Sequence, residues 1–205
     1  MSTFIELPIT DKSLARRRLV CGVGKNDANY LVLPTVNGKQ DICPYYFTWV
    51  GMLKRCYESK YLEKHPTYKN CFVCTDWLLF STFKMWMQKQ NWKGKQLDKD
   101  LLVPGNKCYS PDTCLFVTQA VNSLMTGHDA ARGKYSIGVC WNKRDNNYKA
   151  QCSVNGKVKN LGCYLTEEEA SKCYRAFKKE LVLVIANRQD DVKVKNALIK
   201  IAKNI

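Results

Sequence analysis

The sequence is short of histidine, of acid and of long apolar runs, and each shortage bounds what the chain can be. Histidine occurs only as His65 and His128 in 205 residues, so few imidazoles are at hand for proton transfer. Asp and Glu number 18 against 33 Lys and Arg, a formal net charge of +15. That imbalance favours a polyanionic partner, nucleic acid before a membrane surface. No segment approaches the roughly 18 apolar residues of a membrane span. The stretch from Met1 to Arg18 holds no apolar signal core, so the chain is expected to stay in the cytoplasm. Low-complexity stretches and tandem repeats are missing too.

Cysteine, by contrast, is plentiful. The 11 cysteines are odd in number and scattered, which argues against a disulfide framework. Several, Cys152 and Cys173 among them, read as core. An apolar content of 45% and an aromatic content of 11% support a packed interior rather than a disordered tail. The length suits one large domain or two small ones.

The first 44 residues are mixed. Leu31-Val32-Leu33 reads as a short strand ended by Pro34, and Asn37-Gly38 reads as a turn. Arg16-Arg17-Arg18 is a small basic cluster, more simply solvated than phosphate-bound. From Tyr46 to Tyr57 a helix is expected, with Trp49, Met52, Leu53 and Cys56 on one face. Ser81 is a candidate cap for a second helix carrying Phe83, Trp86 and Met87. Core packing accounts for the dense aromatics of this region.

Between Leu97 and Asn122 the pattern is strand, tight loop, strand, helix. Leu97, Leu101 and Val103 make one apolar run, broken by Pro104-Gly105-Asn106. Leu115-Phe116-Val117 make a second, and Thr118 opens a helical pattern through Val121 and Leu124. Asp98 falls on the first strand and Asn122 in the helix, two oxygen ligands suited to one Mg²⁺ or Mn²⁺ ion. Asp100, two positions on, is a second-ligand candidate on the same strand face.

A different grammar follows residues 127–133, a stretch read as a linker. Ser136 to Trp141, Tyr148 to Val154 and Lys157 to Tyr164 read as three strands, with turns at Asn146-Asn147 and Asn155-Gly156. Thr166 and Glu169 form a capping box, and Glu167 and Glu168 suit the positive end of the helix dipole. Ala170, Cys173, Tyr174, Phe177 and Leu181 make the apolar stripe of that helix. A last amphipathic helix runs within Asp190 to Ile205. The expected fold is therefore α+β, with domains at 1–126 and 134–205. Alternation turns Ala150, Cys152 and Val154 toward the helix and Lys149, Gln151 and Ser153 away from it. Cys140 and Asn142 face out on the first strand, with Lys143 and Arg144 at its end, and Lys157, Lys159 and Asn160 are available on the third. Basic residues with interspersed amides suit docking on double-stranded DNA in the major groove.

Two resemblances sharpen these expectations. The segment Leu97-Asp98-Lys99-Asp100, Asn106 and Asn122 resembles the ββα-metal core of HNH endonucleases of the phage homing type. The likeness extends upstream through Tyr46, Trp49, Arg55-Cys56-Tyr57, His65-Pro66-Thr67-Tyr68 and Trp77. It implies metal-dependent cleavage of DNA in the cytoplasm of a phage-infected bacterium, with Asn106 bracing the loop. Ile137-Gly138-Val139-Cys140-Trp141, Tyr148-Lys149-Ala150-Gln151, Asn155-Gly156-Lys157, Leu161-Gly162 and Thr166-Glu167-Glu168-Glu169-Ala170 are similar to the APETALA/ERF-type DNA-binding domain. That module also occurs appended to phage HNH proteins, and it implies a sheet that reads DNA. Several arginines that plant members use for base contacts are missing here.

Where HNH enzymes carry a general-base histidine, this chain has Lys99. A protonated lysine cannot take a proton from water. Lys99 is better suited to holding the scissile phosphate, which leaves His128 or His65, or a metal-bound hydroxide, as the base. Two readings stand side by side: a metal-dependent endonuclease, or a DNA-binding protein with a degenerate nuclease fold. An RNA-binding module is a weaker third, because the aromatics read as core. Cys71 and Cys74 have C-x₂-C spacing, with Cys108 and Cys114 downstream, a candidate structural Zn²⁺ site of irregular spacing. Nothing in the sequence demands an oligomer, and a monomer is expected.

Overall fold

The computed structural model describes residues 4–125, 134–154 and 156–205. The chain divides into two compact units, Met1–Val117 and Thr118–Ile205. The architecture is mixed α+β, and its largest sheet has three antiparallel strands. The residues expected to form a linker, 127–133, lie outside the described residues, as does Asn155.

The first unit opens with a short helix α1 (Asp11–Ala15) and a small antiparallel pair, β1 (Thr35–Val36) and β2 (Lys39–Gln40). Asn37 and Gly38 turn between them with φ of 52° and 75°, the positive values a tight hairpin needs. Helix α2 (Pro44–Tyr57) starts on a proline, whose missing N–H costs nothing at the first helical position. Its buried face is Trp49, Met52, Leu53 and Cys56, the expected stripe. Helices α3 (Ser59–Lys64) and α4 (Phe80–Gln88) and the strands β3 (Phe72–Val73), β4 (Gln96–Asp98), β5 (Cys108–Tyr109) and β6 (Leu115–Val117) complete the unit. Strand β3 runs parallel to β5, and β4 antiparallel to β6. One aromatic core joins them: Trp49, Trp77, Phe80, Phe83, Tyr109 and Phe116 are all buried. The Trp49 indole N–H donates to the Trp77 carbonyl at 2.7 Å, so this polar atom enters the core satisfied.

Four local expectations are corrected. Leu31 to Leu33 forms no strand. Instead the Arg17 guanidinium donates to the carbonyls of Asn26, Ala28 and Tyr30, so a side chain serves backbone acceptors just ahead of that segment. Arg17 is thus a staple, not a member of a solvated cluster. Ser81 lies inside α4 rather than capping it. Asp27 accepts from the Ser81 N–H at 2.8 Å and from its hydroxyl, capping the helix from a distant loop. Lastly, β4 ends at Asp98; Lys99 to Val103 bend away and Pro104-Gly105 turn. The Asx turn at Asp98 breaks the strand before Leu101, which is buried.

In the second unit α5 (Gln119–Met125) precedes β7 (Val139–Asn142), β8 (Asn147–Val154) and β9 (Lys157–Tyr164), ordered β7-β8-β9. Helices α6 (Glu167–Asn187) and α7 (Val192–Lys203) follow. Both halves of the Thr166–Glu169 capping box form. Ala150 and Cys152 are buried, as are Ala170 and Val182 of α6 and Val194 and Leu198 of α7. Gly138, with φ of 79°, lies against the Tyr174 ring so closely that any Cβ would overlap it. No helix among the described residues is long and apolar enough to cross a membrane.

Candidate functional site

The loop after β4 is built around Lys99, which is only 5% exposed. Its ammonium donates to Asp100 Oδ1 at 2.7 Å, to Asp100 Oδ2 at 2.8 Å and to the Asn106 carbonyl at 2.6 Å. These acceptors take up the hydrogen-bonding capacity of an ammonium. Asn106 answers in kind. Its Nδ2 donates to the Lys99 carbonyl at 3.0 Å and to the Cys108 carbonyl at 2.6 Å, while its Oδ1 accepts from the Cys108 N–H at 3.1 Å. Lys99 and Asn106 therefore clasp each other's backbone. The loop is a brace, and Lys99 is not the open phosphate-holding cation expected from the sequence. The physical reason is burial: without internal partners a cation this deep would be costly.

Asp98 occupies the neck of the same loop. Its Oδ1 accepts from the N–H groups of Asp100 at 3.0 Å and Leu101 at 2.7 Å. Burial raises its pKa above the ordinary carboxylate value, and those two N–H groups pull the other way. Asp100 is not on the strand, and both its oxygens belong to Lys99. The two-residue periodicity that made it a second ligand ends with β4. Asn122 belongs to α5 and to the other unit, where its N–H donates to the Thr118 carbonyl.

Of the two histidines, His128 lies outside the described residues. His65 is exposed at the end of α3, its ring 4.4 Å from that of Tyr61. The sequence reading gave no role to Arg55, although it sits on α2 beside the buried stripe. Its Nε donates to the Tyr109 hydroxyl at 3.0 Å, and its guanidinium lies over the same ring at 5.5 Å. Burial works against its charge, yet the phenols of Tyr109, Tyr68 and Tyr61 leave its pKa above the ordinary value.

The cysteine candidates divide between neighbouring strands. Pairing of β3 with β5 sets Cys108 beside Phe72, with Cys71 and Cys74 flanking β3. Burial pushes the Cys114 thiol up to about 12 and raises those of Cys74 and Cys108. Among the described residues no group of three or more His, Cys, Asp or Glu is gathered as a metal cage.

The second unit offers a surface instead of a cleft. Residues opposite one another in an antiparallel sheet share a face. Cys140 pairs with Lys149, Asn142 with Asn147, Lys149 with Cys163, Gln151 with Asn160, and Ser153 with Val158. All these lie on the side away from buried Ala150 and Cys152. A bulge between Ala150 and Gln151 leaves Leu161 without a partner on β8, and it shifts the alternation of β9 by one. Lys159 consequently pairs with Cys152 and Lys157 with Val154. Both lysines are thereby turned to the α6 side, against expectation, and Lys159 Nζ lies 4.7 Å from the Phe177 ring centroid. Without the bulge they would have stood beside Ser153.

At the β7–β8 turn Lys143 and Arg144 are exposed. Arg144 is held by Asp145 through Nε at 2.8 Å and Nη2 at 3.1 Å, and Asn142 Nδ2 donates to the same carboxylate at 2.9 Å. Among the described residues the open face is thus amide-rich with one central cation, Lys149, where the sequence had suggested a basic sheet.

No protein-family model, curated protein or solved structure matches the chain.

Proposed function

We propose that this chain binds double-stranded DNA through the open face of β7–β8–β9, and that its HNH-like loop serves as a structural brace. The observation that carries the reading is the open polar face itself. The side chains of Lys149, Gln151 and Ser153 have no hydrogen-bond partner among the described residues. Polar groups set in a row on a rigid sheet can meet phosphates and base edges at little cost in ordering. The net charge of +15 supports a polyanion as the partner. The likeness of this module to the APETALA/ERF type agrees with the same face. The brace reading rests on Lys99 and Asp100, whose charged atoms are spent on each other and on Asn106.

A second reading, metal-dependent phosphodiester cleavage, is favoured by one detail: Asp98 Oδ2 has no partner among the described residues. Mg²⁺ is commonly held by one or two carboxylates with substrate phosphate completing the shell. Asp98 fits that minimum. A Mg²⁺ or Mn²⁺ ion there would supply an activated water and charge stabilisation.

Binding of a labelled duplex across a salt series tests the first reading: log K should fall steeply and linearly with log salt concentration. Plasmid incubated with the protein and Mg²⁺ or Mn²⁺ should stay supercoiled. Nicking that disappears in Asp98→Asn, whose amide oxygen can still accept the two loop N–H bonds, would replace the brace reading with the second.

A further inference from the structure

The bulge in β9 gives the open sheet face a particular chemistry. At its middle Gln151 stands opposite Asn160, and Ser153 opposite Val158. The Gln151 amide is wholly free among the described residues. Asn160 Oδ1 accepts the Gly162 N–H at 3.2 Å, which steadies that amide and leaves its Nδ2 to donate outward. Val158 is 68% exposed, an apolar residue held in water among polar neighbours. Among the described residues Lys149 is the one cation centred on this face, and Arg144 at its edge is occupied by Asp145.

The major groove distinguishes base pairs by just such groups. Guanine shows two acceptors and calls for a forked arginine or a lysine. Adenine shows an acceptor beside a donor and calls for an amide, and thymine adds a methyl group that an apolar side chain can cover. We propose that this face reads adenine and thymine in the major groove. Gln151 pairs with N6 and N7 of an adenine, Val158 covers a thymine methyl, and Lys149 holds a backbone phosphate. Gln151 and Val158 are diagonal neighbours, roughly 7–8 Å apart on an antiparallel pair. That span matches about two base steps of ~3.4 Å, so the two contacts fit one short site.

This inference rests on the DNA-binding reading, and one experiment separates their fates. The full chain is titrated into an A·T-rich and a G·C-rich duplex of equal length at one salt concentration, followed by fluorescence anisotropy. The A·T-rich duplex is expected to bind at least about fivefold tighter, in line with one or two base-edge contacts. Replacing adenine by 7-deazaadenine, which lacks the N7 acceptor, or thymine by uracil, which lacks the methyl, should each reduce that advantage. Gln151→Ala and Val158→Ser should narrow the gap between the two duplexes. Equal affinity for both duplexes overturns the inference and leaves DNA binding standing. So does an A·T preference that survives both base analogues, which would belong to the minor groove. Binding to neither duplex overturns both readings.

Discussion

The loop at Asp98–Cys108 and the open face of β7–β9 carry similar residues and use them in opposite ways. Each has a lysine, a carboxylate and asparagine. In the loop, Lys99 is buried, and its ammonium is spent on Asp100 and Asn106. On the sheet, the side chains of Lys149 and Gln151 have no internal hydrogen-bond partner among the described residues. A polar group whose bonds are completed inside the protein contributes to one conformation; a group left to water can exchange that water for a ligand. Motif spacing alone does not separate the two cases. Lys99 stands where the HNH resemblance would put a catalytic group and is a strut, while Gln151 occupies an ordinary strand position and its side chain is free among the described residues.

The largest expected effect tests that contrast directly. Lys99→Met leaves the Asp100 carboxylate and the Asn106 carbonyl without their shared donor. It should lower the unfolding free energy by roughly 2–3 kcal/mol, the scale of losing charged hydrogen bonds at a buried site. The Asp100 side chain is 46% exposed, so water recovers part of its loss and holds the cost below that of a fully buried pair. Lys149→Met should change stability by no more than about 0.5 kcal/mol, as for surface positions without such a network. Urea unfolding of both variants measures the difference. Equal costs would erase the distinction between strut and free group.

Much of this architecture could be read from the residues, because it rests on local rules. The α2 stripe of Trp49, Met52, Leu53 and Cys56, the Thr166 capping box and the Asn37-Gly38 turn each need only a few neighbouring positions. The failures came where a distant group intervened. Asp27 caps α4 from far along the chain, and Arg17 serves three carbonyls around Ala28. The β9 bulge moved Lys157 and Lys159 across the sheet by inserting a single residue into the alternation. A side-chain period of two makes any such insertion reverse the faces beyond it. The candidate site suffered most, since the role of Lys99 depends on which acceptors surround it.

A middle-sized effect concerns binding rather than folding. Lys149→Ala should weaken duplex binding and reduce the slope of log K against log salt by about 0.9, one phosphate contact. Lys99→Ala, measured where it is folded, should leave that slope unchanged. A slope altered by Lys99 and not by Lys149 would move the interface to the loop and reverse the comparison.

A smaller effect follows from the Arg144–Asp145 pair. Both residues are exposed, and the pair is worth little in stability. Its consequence lies in what it withholds, because Asp145 screens Arg144 and also takes the Asn142 amide. Asp145→Ala should release both groups and tighten duplex binding by about two- to fivefold, the scale of one modest phosphate contact. Weaker binding in that variant would mean that Asp145 orients Arg144 for the partner rather than withholding it.

The smallest expected effect shows that the sheet unit has a brace of its own. Glu167 Oε1 accepts from the Ser136 N–H at 2.8 Å and from its hydroxyl at 2.6 Å, tying the approach to β7 to the first turn of α6. Those bonds hold the Glu167 carboxyl below its ordinary pKa. A folded-state pKa that is depressed stabilises the protein above the unfolded-state value, and the contribution is lost as pH falls through the folded-state value. Wild type should therefore exceed Glu167→Gln in stability at neutral pH by a small margin, since the group is solvent-exposed and screened. The margin should vanish on acidification through the carboxylate range, as followed by urea unfolding at several pH values. A margin that grew in acid would mean the charged form is not the one Ser136 holds. A carboxylate brace between Ser136 and α6, beside an open face of amides and one lysine, keeps structural and ligand-facing polar groups apart within a single unit.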